Sequence, residues 1–584
     1  MNGAILLLGG VACFTLAYFF YSKFVAKAIG VDPDRPTPAH TMGDGIDYVP
    51  AHPMVLYGHH FATIAGAGPI VGPVLASEFG WAAVALWVVL GCIFIGAMHD
   101  MVTLFLSVRH QGQSIGSVIE DVLGRPGKMI FLMFCFATLV LVMAVFTGQV
   151  AAAFVSNPEV ATSSLLAIFE AVAFGVCVYR LKWSLFAASF VFVPLLFLLV
   201  WVGVLFPCDL VSMLGVSAAT AKTIWIAVVL AYCFTASTLP VWLLLQPRDY
   251  LNSYLLYAML AVGLVAVFAV RPDLSINAFS GLTVGSAGGQ TRSLFPLLFV
   301  TVACGACSGF HALVASGTTS KQLDSERHIR PVGYGGMLLE GVVALLALVA
   351  VAWNSQTDLV SGLAQGKPVV MFAQGLASFC GKLGLPEKAS ESFMLLAVAA
   401  FLMTSVDSCT RLARFVWQEM WSTASSAAPQ DGKPAEARPP SLIVRLNCNM
   451  YFATAVVIAI GVYLLVLNPS MAGNLWTMFA SANQMLAALT LLTAALWLFK
   501  NRLNFWITAL PMCFMVVTSG TAVFQLFLQS LDKWMKRGFA EGGVTAIGSL
   551  VLFVLAIVLL VLGALKFRAI VRIRITRAIM GKAQ

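Results

Sequence analysis

The 584-residue chain has very little charge: Asp, Glu, Lys and Arg make up 10% of it, against 60% hydrophobic residues. Soluble proteins carry about 25% charged residues, so the composition excludes an ordinary soluble protein. The mean hydropathy of +0.92 instead predicts an all-α polytopic membrane protein. The net charge of +9 would suggest nucleic acid as a partner of a soluble protein, but here the basic residues lie between apolar runs and nucleic acid is not expected.

The sequence also lacks the motifs of nucleotide-dependent and metal-dependent chemistry. It contains no Walker loop, no dinucleotide-binding glycine motif and no G-x-S-x-G motif, so any pumping would use an ion gradient. No H-x-x-x-H pair occurs, and His59 and His60 would point about 100° apart on a helix. No metal or other cofactor is therefore expected. The twelve Cys are scattered, and Cys304 and Cys307 lie in a membrane-length segment where a packing role is favoured.

Fifteen apolar segments are long enough to span a bilayer, which requires about 20 residues. The first has no basic start, so a retained helix is expected and not a signal peptide. The approximate bounds are 3–22, 54–78, 80–107, 129–154, 162–180, 184–206, 223–245, 253–270, 293–318, 334–354, 392–412, 446–468, 475–499, 505–528 and 547–565.

The positions of the basic residues predict the orientation. If alternate loops face opposite sides and the N-terminus is outside, 25 of the 34 Lys and Arg fall on the inner side. An N-terminus outside and a cytoplasmic C-terminus are therefore expected. Residues 416–445 are predicted to form a disordered cytoplasmic loop. Residues 566–584 form a basic cytoplasmic tail, for which a plain stop-transfer cluster is favoured over binding to anionic membrane lipid.

The segment GHHFATIAGAGPIVGPVLASEFGW, residues 58–81, is the most informative. It is apolar enough to enter a bilayer, yet Gly66, Gly68 and Pro69 lie across its middle, where Gly loosens a helix and Pro removes a backbone donor. Broken backbone survives in lipid only where protein or a cavity satisfies it, and secondary transporters build substrate sites at such breaks. The alternative is a Pro-kinked helix that packs closely through its small residues.

Two further features point to function. The seventh segment offers a second place for a helix to unwind, at Thr235, Ser237, Thr238 and Pro240. Ionisable residues within spans are costly and are candidates for function, although hydrogen bonding or helix capping is the structural alternative for each. Asp407, for example, could form an i,i+4 pair with Arg411. The intramembrane candidates are His59, His60, His99, Asp100, His311, Glu340 and Asp407.

A close resemblance to the carbon starvation protein A (CstA) family extends from about residue 50 to about residue 490. It is carried by GHHFATIAGAGPIVGPVLASEFGW, LPVWLLLQPRDYLNSY, CSGFHALVASGTTSKQL, GYGGMLLE, TSVDSCTRLARF and LWTMFASANQMLAAL. The resemblance implies a transporter of the bacterial inner membrane that takes up peptides, or pyruvate with protons, during carbon limitation. It also implies a core of two inverted five-helix repeats, as in the amino acid–polyamine–organocation superfamily.

Under this resemblance, residues 54–206 and 223–415 would be the two repeats, after a first helix and loop at 1–53 and before peripheral helices at 446–565. Each repeat would open with a breakable helix, and the two would run in opposite directions. Free amides at the start of a half-helix would attract a substrate carboxylate. The expected substrate-binding residues are His59, His60, Thr63, Gly66, Gly68, Pro69, Thr235, Ser237, Thr238, Ser308 and His311.

The expected coupling ion is a proton, with sodium as the alternative. His titrates near neutrality without perturbation, so His59, His60 and His311 rank first as coupling residues. His99, Asp100, Glu340 and Asp407 follow, and Asp407 is expected to be held charged by Arg411. The predicted function is import of a small carboxylate by symport, and not an enzymatic activity. A non-transporting sensor of the same ligand, and less so a membrane enzyme, are the alternatives; the oligomeric state is not predicted.

Overall fold

The computed structural model describes residues 1–43, 48–51, 53–240, 243–285, 291–425, 441–467 and 472–580, most of which are helical. The first helices are α1 (Gly3–Phe19), α2 (Tyr21–Ile29), α3 (Pro38–Thr41), α4 (Pro53–Ile64), α5 (Gly68–Ala76), α6 (Trp81–Gly91), α7 (Ala97–Arg109), α8 (Ile115–Ser156), α9 (Pro158–Gly175), α10 (Leu185–Leu205), α11 (Leu210–Leu214), α12 (Ala218–Thr238) and α13 (Leu245–Val270). Strands β1 (Thr283–Gly285) and β2 (Thr291–Ser293) then pair antiparallel, with Thr283 opposite Ser293.

The chain continues as α14 (Leu294–Thr301), α15 (Gly309–Val314), α16 (Ser320–Gln322), α17 (Gly336–Ala352), α18 (Gln356–Ala364), α19 (Pro368–Lys382), α20 (Glu387–Ser425), α21 (Leu442–Asn447), α22 (Met450–Val462), α23 (Ala472–Lys500), α24 (Trp506–Arg537) and α25 (Phe539–Met580). A π-helical turn, Ala315–Thr319, joins α15 to α16.

The predicted all-α polytopic membrane protein is confirmed. Twelve helices of the described residues are long and apolar enough to cross a membrane, or thirteen if the bent pair α4–α5 is one span. The count of fifteen is not confirmed, because two predicted segments lack a full-length helix. Segment 446–468 contains a shorter apolar helix, Met450–Val466, and segment 293–318 is divided between α14, α15 and a turn.

Helical structure also extends past predicted boundaries. Helix α20 continues to Ser425, well into the loop predicted at 416–445, whose residues 426–440 lie outside the described part. Helix α25 continues to Met580, so most of the predicted basic tail is helical. The buried helix α19 was not predicted, because its 15 residues are too few for a span.

The helix ends lie on two opposite faces of the bundle. On the N-terminal face, which holds the start of α1, Gly3 N bonds Pro272 O at 2.7 Å and Trp81 N bonds Asn277 O at 3.1 Å. On the opposite face, Arg109 Nε at the end of α7 lies 2.9 Å from a carboxylate oxygen of Glu326. Each of these contacts joins helix ends or loops that lie on the same side of the membrane if successive spans alternate in direction.

The broken helices lie in the interior of the bundle, among its most buried helices. In the apolar windows of α17, α20 and α23, 89% of residues are buried, against 17% in α10. A helix that is apolar and buried all round belongs to the core of a bundle, whereas an apolar helix with open sides faces lipid. The central helices α17, α20 and α23 therefore position the candidate site, and α10 lies at the periphery.

Candidate functional site

The first helix break occurs where the sequence predicted it. Helix α4 ends at Ile64, α5 begins at Gly68, and the two are bent by 40°. Pro69 occupies the first turn of α5, where its missing N–H has no intrahelical partner to lose. A Cβ on Gly66 would lie 2.6 Å from Ser405 Oγ on α20. The break is thus packed so closely against α20 that a side chain at position 66 would require Ser405 to move.

The second predicted break, at Thr235–Pro240, is wrong. Helix α12 runs without interruption to Thr238, and Leu239 is extended. The Thr235 and Thr238 hydroxyls bond carbonyls of their own helix, at 3.0 and 3.2 Å, and Ser237 Oγ is 3.4 Å from Thr454 Oγ1. A proline ends a helix as readily as it kinks one, and here it follows the last turn of a complete span. The Thr235 and Thr238 hydroxyls thus bond within α12, and the Ser237 hydroxyl contacts α22.

The second break lies instead in the ninth predicted segment. Helix α14 ends at Thr301, the chain forms turns over residues 302–308, and α15 begins at Gly309 after Ser308. The sequence contained a signal, since Gly305 and the Ser308–Gly309 pair interrupt an apolar run. The run has no proline at this point, so the sequence alone predicts one continuous span.

The two breaks are in direct contact. A Cβ on Gly68 would overlap the Cys304 side chain, and a Cβ on Gly72 would lie 2.7 Å from Thr301 O. A Cβ on Gly305 would lie 3.5 Å from Pro69 Cα. The glycines therefore allow two interrupted helices to pack backbone against backbone, which is the arrangement expected at a transporter substrate site.

A buried histidine–carboxylate cluster adjoins the second break; we define it as His99, Asp100, His311 and Glu340. His311 Nδ1 is 2.7 Å from Asp100 Oδ2, and His311 Nε2 is 3.2 Å from Glu340 Oε2. His99 Nδ1 is 2.8 Å from Asp100 Oδ1, and all four side chains are 0% exposed. An uncompensated buried charge is costly, so two carboxylates here require protons or a protonated imidazole to balance them.

His60 and His59 do not belong to this cluster. His60 is buried, and its Nδ1 lies 2.9 Å from Thr319 Oγ1 at the end of the π-helical turn. His59 is half-buried, and its carbonyl accepts a hydrogen bond from the Thr63 hydroxyl at 2.8 Å. His60 thus links α4 to the helix that carries His311, whereas Thr63 bonds within its own helix.

The prediction that Asp407 pairs with Arg411 is also wrong. Arg248 of α13 holds the Asp407 carboxylate, with N–O distances of 2.5 and 3.0 Å, and the Tyr232 hydroxyl donates to it at 2.9 Å. We call Arg248, Tyr232 and Asp407 the arginine cluster. Arg411 and Arg414 instead cap the end of α12, because they donate to the carbonyls of Ala236, Leu239 and Ser237.

Two buried amides on α23 were missed as site residues. Asn483 and Gln484 are 0% exposed and bond the chain on both sides of the second break. Adjacent amides in an otherwise apolar span were the available signal. Within the described ranges, no group of three or more His, Cys, Asp or Glu side chains is arranged to hold a metal ion.

Comparison with known proteins identifies clear relatives. The sequence model of the family "Carbon starvation protein CstA" matches residues 2–363 and 354–522. The chain is 31% identical to the "Peptide transporter CstA" of Escherichia coli (strain K12), over 90% of this chain and 81% of that protein. It is 29% identical to the "Pyruvate/proton symporter BtsT" of the same strain, over 89% and 81%. Among solved structures, an Eremococcus coleocola manganese transporter superposes with a TM-score of 0.49 at 12% identity, over 91% of this chain and 99% of that one.

Proposed function

Because this chain belongs to the carbon starvation protein CstA family and is a multi-pass membrane transporter, we propose that it imports a small carboxylate nutrient together with protons. One curated relative is named a peptide transporter and another a pyruvate/proton symporter. Those names suggest two substrate candidates, pyruvate and short peptides, which share a carboxylate. The sensor and enzyme alternatives are set aside, since the relatives are transporters.

The position of the histidine–carboxylate cluster is the observation that carries the proton proposal. His311 lies in the first turn of α15, directly after the second break, and Asp100 and Glu340 hold it from α7 and α17. A proton gained or lost at this cluster changes the charge of a fully buried site, so it changes the energy of holding α15 in place. Because the second break contacts the first, a movement of α15 that follows protonation of the cluster would also change the geometry of the substrate site.

We place the substrate carboxylate between the two breaks, at the start of α5. The first amides of a helix lack intrahelical partners, and with the helix dipole they attract an anion. The breaks are in contact here, so this structure corresponds to a closed state, and substrate enters when Gly68 and Cys304 separate. A small acid such as pyruvate requires less separation than a peptide does, and we rank it first.

The observed breaks favour a different repeat division from 54–206 and 223–415. Each broken span is followed by one further span and then by a long helix, α8 with 42 residues and α20 with 39. We therefore propose repeats that begin at α4 and at α14, with α12 and α13 completing the first, α22 and α23 completing the second, and the α9–α10 hairpin as an insertion. Their first helices run in opposite directions, as an inverted repeat requires. The positive-inside bias supports an inner-membrane protein with its N-terminus outside and its C-terminus in the cytoplasm.

Transport by the purified protein in proteoliposomes tests this function. Labelled pyruvate and a labelled dipeptide are each offered with a proton gradient and, separately, with a sodium gradient. We expect pyruvate to accumulate under the proton gradient alone. Accumulation driven only by sodium would contradict proton coupling, and failure of both substrates even in exchange would contradict import of a carboxylate.

A further inference from the structure

Helix α23 supplies two neighbouring amide side chains to the second break. Asn483 and Gln484 are both fully buried in the interior of a 29-residue helix. A buried amide is costly unless its donors and acceptors find partners. Both polar atoms of Asn483 and the Nε2 of Gln484 find partners, on opposite sides of residues 302–308, whereas Gln484 Oε1 has none among the described residues. This pattern of bonds points to a role in holding the break.

Gln484 completes the end of α14. Its Nε2 donates to Phe299 O at 2.5 Å. In an unbroken helix, this carbonyl would accept the N–H of residue 303, four positions later. Since the chain leaves the helix after Thr301, the Gln484 amide replaces the missing backbone donor.

Asn483 completes the start of α15. Its Oδ1 accepts the Phe310 N–H at 2.9 Å, a bond that the N-cap residue Ser308 does not supply with its own side chain. Its Nδ2 donates to Ser308 Oγ at 3.0 Å and to Cys304 Sγ at 3.4 Å. Cys304 is the residue that packs on Gly68, so Asn483 contacts both the start of α15 and the turn that meets the first break.

We propose that Asn483 and Gln484 are positioning residues: together they form an amide clamp that holds the second break closed and fixes His311 relative to the substrate site. Because the two residues are consecutive on one helix, α14 and α15 cannot move apart without breaking one of their bonds. The N–H that Asn483 holds belongs to Phe310, the residue before His311. The link to His311 rests on the proposed function, whereas the clamping of the break does not.

The test compares Asn483→Leu, Asn483→Asp and Gln484→Met with a matched control, Thr490→Val. Asn483→Leu removes every clamp bond at its position, and Asn483→Asp keeps the acceptor for Phe310 but loses both donations. Thr490 is also buried on α23, but its hydroxyl bonds only Leu486 O of the same helix, at 3.0 Å. One readout is pyruvate exchange and proton-driven uptake in proteoliposomes, with KM and kcat measured separately.

The second readout does not depend on transport. It is the rate at which a maleimide alkylates Cys304 in the intact protein, measured for each cysteine by mass spectrometry. Cys380 is also buried but lies on α19, away from the clamp, and serves as the internal reference. Substrate identity does not enter this readout, so it remains decisive if the wild type fails to transport pyruvate and the proposed function is wrong.

We expect Gln484→Met to lower kcat/KM and to speed Cys304 alkylation by about tenfold, the effect of one lost buried hydrogen bond. Asn483→Leu, which loses all three of its contacts, should change both quantities by at least as much. Asn483→Asp should fall between Asn483→Leu and the wild type, and Thr490→Val should change neither quantity. If Cys304 is alkylated in both variants at the Thr490→Val rate, the clamp does not exist. If Asn483→Leu also speeds alkylation of Cys380, the whole fold has loosened. The alkylation rates of Cys304 and Cys380 in Asn483→Asp then show whether the clamp exists.

Discussion

The histidine–carboxylate cluster and the arginine cluster, two of the buried charged groups among the described residues, differ in the cation that balances their carboxylates. Asp407 is balanced by Arg248, which stays protonated at any accessible pH. Asp100 and Glu340 are bridged by His311, whose unperturbed counterpart titrates near neutrality. A permanent ion pair fixes α13 to α20, whereas a titratable pair can exist in two charge states. Burial alone therefore does not identify a coupling site. A cluster whose cation always stays protonated is structural, whereas a cluster whose cation can gain or lose a proton can take part in coupling.

The same difference makes Asp407 a poor candidate for proton coupling. Its carboxylate receives bonds from Arg248 and from the Tyr232 hydroxyl, so a proton arriving there would have to displace a guanidinium. Glu340, by contrast, has neither carboxylate oxygen in a hydrogen bond within the described part of the protein, although Oε2 lies 3.2 Å from His311 Nε2. Its carboxylate can accept a proton without displacing a hydrogen-bond donor, which favours the histidine–carboxylate cluster.

The largest effect on activity is expected from a change at the first break, which leaves both charged clusters intact. Gly68→Leu should abolish pyruvate exchange and uptake while the protein remains folded in the membrane, because a side chain there displaces Cys304 and separates the two breaks. Gly9→Leu is the matched control, since a Cβ on Gly9 meets nothing within 4 Å. Normal exchange by Gly68→Leu would show that contact between the breaks is not needed for transport.

Removing the permanent cation should damage stability most. Arg248→Met leaves Asp407 buried without its cation, a change that costs about 3–5 kcal/mol. We expect a clear drop in the thermal unfolding temperature in detergent and low membrane levels. Arg248 also lies 3.6 Å from the buried Asp249 carboxylate. The triple variant Arg248→Met with Asp407→Leu and Asp249→Asn should therefore recover much of the stability, because it leaves no lone charge. A stable single variant would mean that Asp407 is not held by this ion pair.

Removing the titratable cation should uncouple transport and spare the fold. His311→Gln is expected to exchange pyruvate but not to concentrate it. With one proton per substrate, one pH unit supports accumulation of at most about tenfold, so the ratio should fall from near that value to one. His40→Gln, at an exposed histidine paired with Asp324, is the control and should accumulate normally. Undiminished accumulation by His311→Gln would place coupling elsewhere, with His60 next.

The smallest effect concerns the hydroxyl that supports the arginine cluster. Tyr232→Phe removes the hydrogen bond to Asp407 and the one that Tyr232 accepts from Arg248, but it leaves the ion pair of Arg248 with Asp407 in place, at a cost of about 1–2 kcal/mol. Thermal unfolding should show a small decrease, and the proton-driven accumulation ratio should not change. A changed ratio would indicate that the arginine cluster takes part in coupling and would remove the distinction between the two clusters.

Local sequence signals predicted part of this site well. Hydropathy identified the membrane class, and the Gly66–Pro69 run identified the first break, because glycine and proline act on their own helix. His311, Asp100 and Glu340 were candidates because an ionisable residue within a span is costly wherever its partner lies. That they meet in one cluster could not be predicted, since they come from three distant helices.

The errors have a common physical cause, which is that tertiary partners override local patterns. The i,i+4 spacing of Asp407 and Arg411 favoured a pair on one helix, but Arg248 offers a bidentate contact from another. Pro240 suggested a break in mid-span, yet it follows a complete helix. The real second break lacks proline, and amides from α23 complete its backbone bonds, which no reading of residues 293–318 alone would reveal.

The most direct measurement is proton flux during pyruvate entry. Proteoliposomes loaded with a pH-sensitive dye receive an inward pyruvate gradient with no initial pH difference, and the wild type should acidify the lumen as pyruvate enters. His311→Gln should admit pyruvate without acidification, and Arg248→Lys, which keeps a cation beside Asp407, should acidify in proportion to the pyruvate that it carries. Acidification by His311→Gln at the wild-type ratio of protons to pyruvate would contradict proton coupling at the histidine–carboxylate cluster.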